Sequence, residues 1–449
     1  MKYNLIKIGC SAILLALLQA CSLPKDTLEN NIKVPVNYWS ELADSSNLGN
    51  IGWKTFFNDA KLINLIDTAL VRNYDLRTAL QQIEISKAYY AMSGKAVFPD
   101  LQLDATCDNQ LDKQYAFGLS SSWEIDVWGK LRNAKDASKK RFLASKSGLQ
   151  FTQTVLIAEV AKAYYDLLAY DAELDIIERN IKLQSNALDI VRVQNEAGKA
   201  TLLAVQQFEA QLYSTKAQYN EIRQLIIATE TTLNVLLNRT PQPIDRNEIG
   251  MTEGVSRKLN VGIPAQLLNN RPDLKEAELL LTAAGFDVKA AFKAFYPNIA
   301  ISPFVGFQSN NLNQLVNPAS AVLNMLGGLT VPIFLQGKLK ANYRIKQAEQ
   351  RQALLNYERV LNLSLNEVQS NLWKMAEIEK AIDLKSKEFA VLDSAITTSR
   401  DLYAYGYANY LEVINAQKNA RDTEIQLINT KKNRLFLMVD LYKSLGGGR

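Results

Sequence analysis

The chain has 449 residues, 47% of them hydrophobic and 22% charged, with a formal net charge of +5. That balance is typical of a folded protein, and without Lys/Arg clusters interleaved with aromatics it gives no support for a nucleic-acid partner. Histidine is absent, which excludes Ser-His-Asp triads, Cys-His pairs and His-ligated metal sites. A carboxylate-pair enzyme is not excluded, but no residues single one out, and we expect no catalytic group, metal or cofactor.

The N-terminus predicts a secreted, lipidated protein. Residues 1–20 form a signal peptide, whose apolar run at 13–18 is too short to span a bilayer permanently. The tetrapeptide Leu18-Gln19-Ala20-Cys21 resembles a bacterial lipobox. We therefore expect lipid on Cys21, at the head of an extended segment over 21–58. By resemblance to lipoproteins generally, Ser22 rather than Asp after the cysteine suggests sorting to the outer membrane. The alternative is an ordinary signal peptide with an incidental cysteine.

The mature chain repeats itself. Asp75-Leu76 recurs as Asp273-Leu274, a shift of 198, and Gly129-Lys130-Leu131 recurs as Gly337-Lys338-Leu339, a shift of 208. Such repetition indicates one duplicated body rather than unrelated domains. We place the first repeat at 59–250, the second at 251–445 and a tail at 446–449.

Each repeat contains one very long helical stretch. Residues 338–405 include neither glycine nor proline, and a helix of that length would measure about 100 Å. Apolar residues recur every seven positions in matched registers, which is typical of coiled coils. They are Val160, Leu167, Leu174, Ile181 and Leu188, then Val368, Met375, Ile382, Phe389 and Ile396. Gly198 and Gly406 would end these helices, so we predict helical hairpins at about 129–238 and 338–444.

Shorter helices, at about 60–97 and 265–295, lead into period-two apolar runs typical of membrane strands. We predict β-hairpins at about 100–125 and 298–334, four strands in all. An open four-stranded sheet in lipid would leave edge N–H and C=O groups unpaired. Several copies would therefore share one barrel, and three copies would give twelve strands. A soluble four-stranded sheet is the alternative.

Five segments, taken in order, resemble the TolC-like outer-membrane factors of efflux systems, in their lipoprotein branch. The segments are 53–59, 123–132, 270–274, 405–417 and 446–448. The resemblance covers essentially all of the mature chain. It implies a mainly α fold with a membrane β-part, built from an internally duplicated helix-strand-strand-helix unit. The implied assembly is a homotrimer, whose 12-stranded transmembrane β-barrel continues into a long periplasmic α-helical coiled-coil barrel.

The resemblance also implies a function without enzyme activity. The protein would be the lipid-anchored exit duct of a tripartite efflux system in the bacterial outer membrane, passively conducting small toxic compounds outward. Its implied partners are a periplasmic adaptor (membrane fusion) protein, an inner-membrane pump of the resistance-nodulation-division type, and outer-membrane lipid.

Site residues carry over from the resemblance by position. Tyr403, Leu411, Glu412 and Asn415 match a periplasmic gate, and Gly198, Lys199, Gly406 and Tyr407 match the hairpin tips that contact the adaptor. Asn415 departs from the family, whose members often have Asp there. The alternatives are a heptad-packing tyrosine, a solvated helix face for Glu412, and glycines that only cap helices.

Three other functions stay open at this point: an outer-membrane duct for type I protein secretion, a periplasmic coiled-coil scaffold without a pore, and a carboxylate-based periplasmic hydrolase. The sequence does not name the cargo of a duct. Lipid on Cys21 and removal of Cys10 would leave Cys107 alone, so no disulfide is expected.

Overall fold

The computed structural model describes residues 51–108, 114–247 and 270–448. The first half contains helices α1 (Trp53–Phe56), α2 (Ala60–Arg72), α3 (Tyr74–Lys95), α4 (Lys130–Glu196) and α5 (Leu202–Leu236). Its strands are β1 (Gln102–Asp108), β2 (Gln114–Ser120) and β3 (Trp123–Ile125). The predicted signal peptide and Cys21 lie outside the described residues.

The second half contains α6 (Pro272–Lys293), β4 (Asn298–Ser309), β5 (Ala321–Thr330), α7 (Lys338–Ala404) and α8 (Tyr410–Ser444). Both α4 and α7 have 67 residues, and both α5 and α8 have 35. We call α4 with α5 the first long hairpin, and α7 with α8 the second. The prediction of a mainly helical, internally duplicated chain with a small β part is confirmed.

Two predicted elements near the N-terminus are wrong in detail. The single helix predicted at 60–97 is two helices, because Asn73 adopts a non-helical backbone with ψ 135° and its side chain caps α3 by accepting from Leu76 N–H. In the segment predicted as extended over 21–58, the described part contains the short helix α1.

The described residues contain five strands instead of the predicted four. The second strand of the hairpin predicted at about 100–125 is split at Ser121–Ser122, so β2 and β3 both pair with β4, one after the other along its length. The backbone N–H of Ser122 donates instead to the Asp100 carboxylate. Strand β5 ends at Thr330, so Val331 and Ile333, which fall within the hairpin predicted at about 298–334, lie outside the sheet.

The antiparallel sheet is ordered β1, then β2 and β3, then β4, then β5, and its register gives it two different faces. One face is apolar. Its members include Leu103, Phe117, Leu119, Trp123, Ile299, Ile301, Val305, Leu323 and Leu329. The opposite face is largely polar or small, with Phe304, Val322 and Leu326 as exceptions. Its members include Gln102, Asp104, Thr106, Gly118, Ser120, Glu124, Asn298, Ser302 and Gly306.

The helices form four parallel rows, because two pairs of shorter helices stack end to end. The end of α5 meets the start of α3, where Asn73 Nδ2 donates to Leu236 O at 3.0 Å. The end of α8 meets the start of α6, where Arg271 Nη1 donates to Ser444 O at 3.0 Å. The rows run in the order α5/α3, α4, α8/α6, α7.

The largest buried side chains gather where these stacked helices meet. Phe56, Phe57, Tyr164 and Tyr165 are almost fully buried, and Tyr442 stacks on Phe56 with ring centroids 4.1 Å apart. The core thus lies midway along the long helices, between the sheet and the hairpin tips.

Candidate functional site: the hairpin tips and gate

The two hairpin tips are built alike. Gly198 and Gly406 have φ of +71° and +81°, a left-handed conformation that favours glycine. Lys199 N–H donates to Gln194 O at 2.8 Å, and at the repeat-related position Tyr407 N–H donates to Leu402 O, also at 2.8 Å. The side chains of Lys199 and Tyr407 are exposed, so both hairpin tips have side chains that are accessible to solvent.

The next helices start at capping residues. Thr201 Oγ1 accepts from Ala204 N–H at 3.2 Å at the start of α5. Asn409 Oδ1 accepts from Leu411 N–H at 2.9 Å and from Glu412 N–H at 3.2 Å at the start of α8. These caps satisfy N–H groups that have no partner within the helix, and they fix where the first turn of α8 projects.

Tyr403 ties the second hairpin to the first. Its hydroxyl donates to Gln194 Oε1 at 2.8 Å, and burial raises the pKa of the phenol. The repeat-related residue Asn195 instead closes its own turn, donating from Nδ2 to Ala200 O at 2.8 Å. The same repeat position therefore serves one tip locally and joins the two hairpins at the other.

Leu411, Glu412 and Asn415 all lie in the first two turns of α8, and all three are exposed. Glu412 and Asn415 are three residues apart and so share one helix face. Among the described residues, no hydrogen bond or ion pair joins Glu412 or Asn415 to Tyr403, whose hydroxyl bonds to Gln194 instead. Glu412 lies beside the helix N-terminus, where the peptide dipole favours a negative charge.

An apolar cluster holds the tips together. We call Leu188, Val191, Ala204, Phe208 and Leu212 the tip cluster; all are buried. Tyr410 and Ile414 of α8 pack against it from the second hairpin, with the rings of Phe208 and Tyr410 6.4 Å apart. Movement of α8 away from α4 and α5 would expose this apolar surface to water, so the cluster favours docked hairpins.

Beyond the tip, polar contacts join α4 to α8. In order along α4 they are Lys162–Asp440 at 2.7 Å, Asp166–Lys432 at 3.1 Å, Glu173–Asn429 at 2.6 Å and Arg179–Glu424 at 2.9 Å. Glu173 is 5% exposed, and burial, with a smaller contribution from Asp166, raises the pKa of its carboxyl despite Asn429 and Lys432. The two hairpins are thus joined by the apolar tip cluster and, farther from the tips, by these polar contacts between α4 and α8.

Sequence reasoning missed several of these residues. It selected Tyr403 but not Gln194. The available clue in the sequence was that Gln194 lies four residues before Gly198, close to the hairpin tip. It also missed Tyr410, Ile414 and the polar contacts of α4, since only the docking of the two repeats reveals them.

Among the residues of 51–108, 114–247 and 270–448, no group of three or more Cys, Asp or Glu side chains is arranged to hold a metal ion. In the same ranges, no helix is both long and apolar enough to cross a membrane.

The sequence profile of a known family, described as outer membrane efflux protein, matches residues 65–239 and 263–447. The cation efflux system protein CusC of Escherichia coli K12 is 28% identical over 443 residues, covering 96% of this chain and 97% of CusC. A crystal structure of CusC superposes with a TM-score of 0.86 at 27% identity, covering 95% of this chain and 100% of that one.

Two further relatives carry different names. The solvent efflux pump outer membrane protein SrpC of Pseudomonas putida is 29% identical over 409 residues, covering 88% of this chain and 87% of SrpC. The probable outer membrane lipoprotein SilC of Salmonella typhimurium is 27% identical over 406 residues, covering 88% of each chain.

Proposed function

Since this chain belongs to the outer membrane efflux protein family, we propose that it is the exit duct of a tripartite efflux system. The resemblance inferred from the sequence is confirmed, as are the efflux function and the outer-membrane location of the family. The duct would passively conduct small toxic compounds from an adaptor and an inner-membrane pump to the exterior, and it would need no catalytic residue.

The two-faced sheet is the observation that carries this proposal. An apolar face suits lipid, and a polar face suits a water-filled interior, which is the alternation of membrane β-strands. The charged side chains on the described strands, Asp104, Asp108 and Glu124, all lie on the polar face. A soluble sheet covered on one side would bury its apolar face, whereas Leu103, Leu323 and Leu329 are each at least 66% exposed.

Both lateral edges of the chain support closure by further copies. In the described sheet, β1 pairs only with β2 and β5 only with β4. The edge helix α7 carries an exposed apolar stripe within an arc of about 80° at 100° per residue. The stripe consists of Ile345, Leu355, Leu363, Leu384, Val391 and Leu402.

The opposite edge row, α5/α3, carries a comparable stripe. It consists of Leu202, Tyr213, Ile227 and Val235 on α5, continued by Tyr74, Ile85, Tyr89 and Met92 on α3. Exposed apolar stripes of this length favour association, and the α7 edge of one copy fits the α5/α3 edge of the next. Three copies would give twelve helix rows and twelve strand rows, with β2 and β3 counted as one row.

The tips and the gate take their proposed roles from their position. Gly198, Lys199, Gly406 and Tyr407 form the exposed end that would contact the adaptor. Tyr403 would hold the second hairpin docked, while Leu411 and Glu412 of the three copies would narrow the passage. Three Glu412 carboxylates near one axis would favour cations. Lipid on Cys21 would anchor the assembly.

The cargo is proposed only by class, as small toxic compounds, because the relatives are named for cations and for solvents. Purified full-length protein in planar bilayers tests the duct, with Val391→Asp, placed on the proposed copy-to-copy stripe, as the matched assembly-deficient control. Stepwise conductance from the wild type alone supports a pore; silence in both would favour the scaffold without a pore.

Deletion of the gene separates the two kinds of duct. Higher susceptibility to small toxic compounds or metal ions, with an unchanged set of secreted proteins, supports efflux. Loss of a secreted protein with unchanged susceptibility would point to type I secretion instead.

A further inference from the structure

A buried polar layer lies between the two long hairpins, just beyond the tip cluster. Arg421 of α8 is 4% exposed, Thr215 of α5 is fully buried and Gln184 of α4 is 2% exposed. Gln184 and Thr215 stand about one helical turn farther from the tip than Leu188 and Leu212 of the tip cluster. Three helices therefore each contribute a polar side chain to a layer that adjoins the apolar tip cluster.

The guanidinium of Arg421 crosses from the second hairpin to the first. Its Nη1 donates to Thr215 Oγ1 at 3.1 Å, while Nε and Nη2 donate to Asp422 Oδ1 at 3.0 Å and 2.7 Å. The Thr215 hydroxyl donates its own proton to Gln211 O at 3.0 Å, which leaves its oxygen free to accept. Gln184 Oε1 has no hydrogen-bond partner among the described residues.

Stability alone does not account for an arginine at this level. Burying a guanidinium removes its hydration at a large cost, and replacing a buried charged group by an apolar one of similar volume is often neutral or stabilising. A buried polar group instead favours the one helix register in which its hydrogen bonds are made, as polar positions do in coiled coils. Sliding α8 toward the tip by one turn, about 5.4 Å, would break the bond to Thr215 and carry the charge into the tip cluster.

We propose that Arg421 is a positioning residue that fixes the register in which α8 docks on the first hairpin, with Thr215 as its acceptor. This inference rests on the proposed duct, because the register of α8 sets where Leu411 and Glu412 project. Loss of the Arg421–Thr215 bond would therefore loosen the closed end without touching the tips themselves.

Four variants test this in full-length protein reconstituted into planar bilayers. Arg421→Met removes the guanidinium group but keeps much of the side-chain length. Thr215→Val removes the hydroxyl acceptor but keeps the shape of the side chain, and Arg421→Lys keeps the positive charge. Gln184→Leu is the matched control, because it removes a polar group from the same layer without removing a bond seen in the described residues. Melting temperature is measured alongside the resting open probability.

We expect Arg421→Met and Thr215→Val each to raise the resting open probability about tenfold or more, the effect of losing a hydrogen bond to a charged group. The double variant should open no more than the stronger single one, because both remove the same bond. Arg421→Lys should lie between wild type and Arg421→Met. The melting temperatures of Arg421→Met and Gln184→Leu should stay near that of the wild type.

Three results would overturn the inference: unchanged open probability in Arg421→Met, no effect of Thr215→Val, or an equal increase in Gln184→Leu. If Arg421→Met does not fold, Thr215→Val and Arg421→Lys decide between the same outcomes. A wild-type protein without any conductance overturns the proposed duct, and this inference with it. If the wild type conducts and Arg421→Met has the same open probability, the register role alone is overturned.

Discussion

Tyr403→Phe isolates the bond that joins the two hairpins at their tips. The substitution removes one hydroxyl and leaves the ring, so the 2.8 Å bond from Tyr403 to Gln194 Oε1 is lost while packing is retained. Both side chains are half-buried, so water can replace part of the bond. We take the lower part of the usual range for one hydrogen bond, about 0.5–1 kcal/mol.

In the proposed trimer the three bonds act together. If the closed end opens as a unit, losing all three costs the closed state about 1.5–3 kcal/mol, which shifts the closed-to-open ratio roughly 10- to 150-fold. Adding Glu412→Gln removes charge from the same end and should alter the cation preference of the pore rather than enlarge the shift.

Resting single-channel conductance of purified protein in planar bilayers measures this shift. Tyr405→Phe is the matched control, because Tyr405 undergoes the same chemical change two residues away and is 79% exposed. We expect frequent resting openings in Tyr403→Phe and none beyond wild type in Tyr405→Phe. Equal resting conductance in Tyr403→Phe, Tyr405→Phe and wild type would refute the gate role of Tyr403.

Three further outcomes follow from the described residues, and a fourth follows from the lipidation expected at Cys21. Gly406→Ala should destabilise the second tip by about 1–2 kcal/mol, because φ is +81° although a Cβ would meet no atom within 4 Å; an unchanged melting temperature in circular dichroism contradicts it. Val391→Asp, at a site 69% exposed on the α7 stripe, should abolish trimers in native mass spectrometry while helical content persists; intact trimers contradict the edge assignment. Burial raises the pKa of Glu173. The wild type should therefore lose stability relative to Glu173→Gln as pH rises from about 4.3 through that raised pKa. The same pH dependence of the melting temperature in both proteins would contradict this expectation. Cys21→Ser should abolish labelling with radioactive palmitate, and retained label would place the lipid elsewhere.

The long helices were predictable because their signals are local. Gly129, Gly198, Gly337 and Gly406 bound them, and each of these glycines has a positive φ that local sequence chemistry anticipates. The repeat then placed the two hairpins in a matched register. Periodicity of seven located their packing faces without any knowledge of the partner helices.

The misses depend on contacts distant in sequence. The break at Asn73 is accompanied by its bond to Leu236 O, 163 residues away. The split of β2 from β3 is accompanied by Ser121 N–H donating to Pro303 O at 3.0 Å. Gln194 was overlooked because its partner Tyr403 is 209 residues away. Propensity and pattern reach neighbouring residues, whereas these features depend on contacts between distant parts of the chain, within the first repeat for Asn73 and between the two repeats for Ser121 and Gln194.

The proposed closure of the tube by sister copies is tested most directly by cryo-electron microscopy of the detergent-purified, full-length protein. A trimeric duct should appear as a hollow threefold particle whose helical part extends about 100 Å, the length of a 67-residue helix, with each α7 packed against the α5/α3 row of the next copy. A single-copy particle with the α7 stripe exposed, or a map without a central passage, would contradict it.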